Sequence, residues 1–132
     1  MHLTLQIFAA VTMLLGVIQI YYNAWWIGSP APPFEINDWM IAFDIGWMLA
    51  SIDLGVRLRR RRLPANLPIS FVAFSVFTLA YSSWLAATSG TGQITDAMIP
   101  LWYKLLSIAF GAWWVAASIA MVIWARAAGR GE

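Results

Sequence analysis

Apolar residues dominate four long stretches of the chain, roughly 3–27, 39–58, 67–88 and 98–124, and polar residues gather in the short intervals between them. A helix rises about 1.5 Å per residue and a bilayer's hydrocarbon is about 30 Å thick, so about 20 apolar residues cross it. Each stretch reaches that length. Backbone groups in lipid must satisfy their own hydrogen bonds, which leaves helices as the structure for such stretches. The pattern predicts an all-α integral membrane protein, a single transmembrane domain over 1–132. The first stretch has no basic leader, exceeds the apolar run of a signal peptide, and is followed by no A-x-A-like site, so it is expected to be a retained span.

The intervals are short. Gly28, Pro30, Pro32 and Pro33 break the first helix, and Asn37 or Asp38 can cap the second. Pro64 and Pro68 mark the second connection. Ser89, Gly90 and Gly92 mark the third, with Thr95 or Asp96 as candidate caps of the fourth helix. Short links predict antiparallel neighbours, a four-helix up-down bundle. Arg57, Arg59, Arg60, Arg61 and Arg62 sit in the middle connection, and Arg126 and Arg130 in the tail. The other two connections carry Glu35, Asp38 and Asp96 but no Lys or Arg. The positive-inside rule then predicts an N-in/C-in topology in a plasma (bacterial inner) membrane, with the arginines at the headgroups. Trp25, Trp26, Trp39, Trp84 and Trp102 are expected at the outer interface and Trp124 at the inner one.

Composition narrows the classes further. Hydrophobic residues make up 61% of the chain and charged residues 11%, against about 25% charged in soluble domains. Neither a soluble fold nor disorder fits. The net charge is only +2, most of the positive charge lies in one run, and no nucleic-acid partner is expected. There is no cysteine, and the single histidine is His2. That removes thiolate chemistry, iron–sulfur clusters and an intramembrane haem ligand, so no metal or other cofactor is predicted.

Polar residues inside the spans fall into seams. Thr12, Gly16, Gln19 and Asn23 share a stripe on the first helix; Ser75, Thr78 and Ser82, with Tyr81 beside them, share one on the third; Lys104, Ser107, Gly111 and Ser118 share one on the fourth. Small and hydroxyl side chains in such stripes are what packed membrane helices present to one another. Counting along each helix places Gln19, Asn23, Asp44, Tyr81 and Lys104 in one layer of the outer half. An unpaired charge there costs at least about 2.5 kcal/mol, so an Asp44–Lys104 ion pair is expected. Such a layer is either a structural lock or a small solute site open to the outside; in a third reading, Lys104 snorkels to the headgroups and Asp44 meets a partner protein. Asp53 stands four residues before Arg57, the favourable order for an ion pair, and shares a face with Gly46 and Ala50 that is expected to be a helix contact.

Trp102, Trp113 and Trp124 recur every eleven residues and form one stripe, flanked by Trp114. This face is expected to meet lipid, another protein, or a flat ligand such as a carotenoid, quinone or other pigment.

No constellation for catalysis is present: no intramembrane histidine or cysteine, and Asp44 and Asp53 on opposite faces. Two classes remain. One is a non-catalytic accessory subunit of a larger membrane complex, bioenergetic or pigment-containing, with lipids and other membrane subunits as partners. The other is a small homo-oligomeric carrier using the outer polar site around Asp44 and Lys104.

Overall fold

The structure, a computed structural model, describes residues 2–130. It is all-helical: α1 spans His2–Ile27, α2 Asp38–Arg60, α3 Asn66–Thr88 and α4 Leu101–Arg130, with one 3-10 turn at Asp96–Met98 before α4. All four helices are long and apolar enough to cross a membrane. The principal contacts are α1 with α4, α2 with α3, and α3 with α4.

Local chemistry sets the helix ends. Asn37 stands in extended backbone at the start of α2, and its carbonyl accepts from the Met40 and Ile41 amides at 3.0 and 3.2 Å. Its side chain makes no capping bond. Pro68 sits in the first turn of α3, where its missing N–H has no partner to lose. The start of α4 lies at Leu101, three residues beyond the expected Met98, because Pro100 pushes Ile99 into extended backbone (φ −87°, ψ 113°).

The end of α2 is a Schellman motif. The Leu63 amide donates to the Leu58 carbonyl at 2.8 Å, and the Arg62 amide donates to the Arg59 carbonyl at 3.0 Å. The motif needs a left-handed residue between them, and Arg62 supplies it with φ 57° where glycine is the usual choice.

The core lies at the end of the bundle that carries this turn. Leu5, Phe8, Leu54, Leu58, Leu67, Phe71, Trp114 and Met121 are buried there, bringing together the start of α1, the end of α2, the start of α3 and the far part of α4. This is called the arginine end below, and the end carrying Glu35, Asp38 and Asp96 the acidic end.

Candidate functional site

The α1–α4 contact is the closest in the fold. Gly16 and Gly111 face each other so tightly that a Cβ on Gly16 would lie 2.7 Å from the Gly111 carbonyl oxygen, and one on Gly111 2.8 Å from the Gly16 carbonyl oxygen. Thr12, Asn23, Ser107 and Ser118 are buried. The small-residue seams on α1 and α4 thus meet each other. On α4, Ser107 donates back to the Tyr103 carbonyl at 2.9 Å, while Ser118 Oγ is buried with no partner among the described residues; on α2, Ser51 likewise donates to the Trp47 carbonyl at 2.7 Å.

Side-chain hydrogen bonds cross between helices at Tyr103 and at Trp47. The Tyr103 hydroxyl donates to Thr78 Oγ1 at 3.1 Å, tying α4 to α3. Trp47 Nε1–H donates to Thr12 Oγ1 at 3.0 Å, tying α2 to α1. The Trp47 ring is also stacked between Phe8 of α1 (5.0 Å, 9°) and Phe43 of its own helix (5.8 Å, 7°). A single indole therefore bridges α1 and α2. Sequence reasoning passed over Trp47. The signal was there: it lies four residues before Ser51, and a tryptophan deep in a span needs a partner for its N–H.

The five residues expected in one polar layer are divided among separate surroundings. Lys104 places Nζ 4.5 Å from the Trp26 ring centroid, a cation–π contact between α4 and α1. Asn23 turns back and donates to the Gln19 carbonyl of its own helix at 2.8 Å, and Gln19 is half-buried beside it. Tyr81 stacks on Tyr103 (5.5 Å) and Trp84 (6.0 Å) and lies against Trp102 (5.1 Å) in an aromatic cluster shared by α3 and α4. Asp44 is exposed. The expected Asp44–Lys104 ion pair is absent among the described residues. Two physical causes act together. Because α4 starts at Leu101, Lys104 lies only about 5 Å in from its start, whereas Asp44 lies about 9 Å into α2. And α2 packs chiefly on α3, while α4 packs on α1 and α3.

Asp44 has a notable position on its helix. Met48, Ser51, Gly55 and Leu58 form the covered stripe of α2, all buried or half-buried. Asp44 continues that stripe toward the acidic end at the same alternating steps of four and three, yet there the cover has ended. Asp53 pairs with Arg57 at 3.1 Å, in the order anticipated, with both side chains exposed. The face it shares with Gly46 and Ala50 is not a contact among the described residues: all three are exposed, and a Cβ on Gly46 would meet nothing within 4 Å.

The tryptophan stripe divides as well. Trp102 is exposed at the acidic end against Phe77 and Tyr81. Trp113 is 48% exposed, and with Trp124 it lines an apolar groove of about 420 Å³ at the arginine end. Trp114, expected beside them, turns inward instead. It is 3% exposed and packs on Phe71 (4.9 Å) and Phe74 (5.4 Å), because α1 and α3 cover that side of α4. Arg59, Arg60, Arg61 and Arg62 are exposed around the turn after α2.

Among the described residues, no three histidine, aspartate or glutamate side chains come together as metal ligands. The chain matches no protein-family model, no curated protein and no solved structure, so its function is read from this geometry.

Proposed function

We propose that this chain is a non-catalytic subunit of a larger membrane protein assembly, set in the plasma membrane as an up-down bundle with both termini and the arginine turn on the cytoplasmic side. Asp44 is the observation that carries the reading. A carboxylate about 9 Å into a membrane-spanning helix wants a cation or donor, because leaving it unpaired in lipid costs about 2.5 kcal/mol or more. Within the described chain the one nearby intramembrane cation, Lys104, is engaged with Trp26. A neighbouring helix from another protein can supply the missing partner and cover the stripe of α2 where its own bundle stops.

The test is native mass spectrometry of the protein extracted from its own membrane in polymer discs. The expected result is a larger complex that Asp44→Asn releases while the chain stays folded. A lone monomer from unaltered membranes would sink the reading.

The same exposed Asp44 also favours a second reading, the homo-oligomeric carrier, in which the uncovered stretch of α2 faces a solute path and Asp44 binds its cationic group. A lone dimer in the same experiment selects that alternative. Orientation has its own test, made simple by the absence of cysteine. In intact cells, Ser29→Cys should react with an impermeant maleimide and Ala128→Cys should not; the reverse pattern would invert the topology.

A further inference from the structure

We propose that the groove at the arginine end holds an acyl chain of an anionic phospholipid whose headgroup is bound by the arginine turn. The groove measures about 420 Å³, within the range of about 300–1,000 Å³ typical of ligand pockets. Its walls are almost wholly apolar. Trp113 and Trp124 stand at either end of an α4 segment whose intervening groove residues are Ala116, Ala117, Ala120 and Met121, three of the four of them alanine. Large aromatic rings flanking mostly small residues leave an apolar channel between them. A neutral carotenoid or quinone would fill such a channel equally well, but it would leave the surrounding charge unused.

That charge is placed where a headgroup needs it. Leu58 lines the groove and is followed directly by Arg59. Pro64, two residues after Arg62, lines it too, and Trp124 is followed two residues later by Arg126. Cations therefore flank the lining segments of both α2 and α4. Asn66 is the groove's polar side chain, and its amide can donate to a phosphate or ester oxygen.

Arg62 provides an independent observation. It holds the left-handed position of the Schellman motif at φ 57°, which glycine occupies without strain. Strain kept at one position points to a role for the residue there. A cation two residues before Pro64 of the groove's lining is a role that glycine cannot fill.

The test uses the full chain, purified and offered vesicles of phosphatidylethanolamine mixed with phosphatidylglycerol, with retained lipids identified by native mass spectrometry. Phosphatidylglycerol should be retained in preference to phosphatidylethanolamine. Replacing Arg59, Arg60 and Arg62 together with Gln should lower that preference by about tenfold or more, since each basic residue at an anionic surface contributes a several-fold factor. Arg62→Gly should lower the preference while leaving stability unchanged or raised, a combination that a merely structural role for Arg62 would not give. Ala120→Trp should fill the groove and abolish retention.

Because Ala120→Trp can also disturb the helix, the unaltered protein provides a second measurement. Phosphatidylglycerol carrying a photoreactive acyl chain should crosslink to α4 between Trp113 and Trp124. Equal retention of both lipids, or crosslinks spread evenly over the four helices, overturns the proposal.

Discussion

Helix α1 meets its two flanking helices in opposite ways. Against α4 it closes backbone to backbone, with Gly16 and Gly111 allowing an approach that a single Cβ on either would block. Against α2 it relies on one side chain, Trp47, which reaches across to the Thr12 hydroxyl and the Phe8 ring. Lipid tails are as apolar as the side chains themselves, so burying oily surface does little to hold membrane helices together. Close approach and polar contacts remain, and the fold uses the first on one side of α1 and the second on the other. A seam of the first kind is rigid. A bridge of the second kind leaves space beside it, and Asp44 is exposed on the uncovered part of α2.

The largest effect should come from breaking the close seam. In Gly16→Leu the new side chain would start 2.7 Å from the Gly111 carbonyl oxygen and press on Val115 and Trp114. Overpacking of this kind costs about 3 kcal/mol, and here it must move backbone. SDS-induced unfolding in mixed micelles should register a loss of that size. A near-neutral Gly16→Leu would show that the seam is not the tight contact described.

Breaking the bridge should come next. Trp47→Ala removes two stacked ring contacts and one hydrogen bond, together about 2 kcal/mol. The same unfolding assay measures it, and the loss should fall below that of Gly16→Leu. The hydrogen bond alone is smaller. Thr12→Val keeps the side chain's shape and removes the acceptor, for a loss of about 1 kcal/mol. A double-mutant cycle with Trp47→Phe should return most of that as coupling energy. Independent effects of the two substitutions would mean that the Trp47–Thr12 bond contributes nothing.

The two sides of α1 also differ in how far they were legible in the sequence. Gly16 and Gly111 stood on stripes of small residues, and composition alone marks such stripes as contact faces in lipid. The four spans were legible for a similar reason, since length and apolarity act locally. Trp47 was less visible, because periodicity gives the face of a helix without naming the helix that covers it. Trp113 and Trp114 make the same point. They are neighbours in sequence, and only the positions of α1 and α3 decide that Trp114 is buried and Trp113 exposed. The Asp44–Lys104 pair failed on two counts of this kind. Pro100 displaced the start of α4 by three residues, and the order of helices around the bundle set Lys104 beside Trp26. Arg62 was read correctly as part of a basic run, but its left-handed backbone belongs to the turn's hydrogen bonds and has no signature in composition.

The smallest effect on the bundle should come from Asp44, and its smallness is the informative part. A lock between Asp44 and Lys104 would make Asp44→Asn destabilising by several kcal/mol, because the ammonium left behind would be buried without its counter-charge. The observed geometry predicts otherwise. Asp44 makes no ion pair among the described residues, and Lys104 keeps its contact with Trp26 whether or not Asp44 is charged. Asp44→Asn should therefore destabilise the isolated chain by no more than about 0.5 kcal/mol, and relief of the unpaired charge acts in the opposite direction. Lys104→Met should destabilise it by about 1 kcal/mol through loss of the cation–π contact. The two effects should simply add in the double variant, as they do for sites that share no partner. A large loss for Asp44→Asn, cancelled when Lys104 is also replaced, would restore the ion pair and close the gap beside α2. Additivity would leave Asp44 with no task inside its own bundle, which is the condition that the proposed contact with another protein requires.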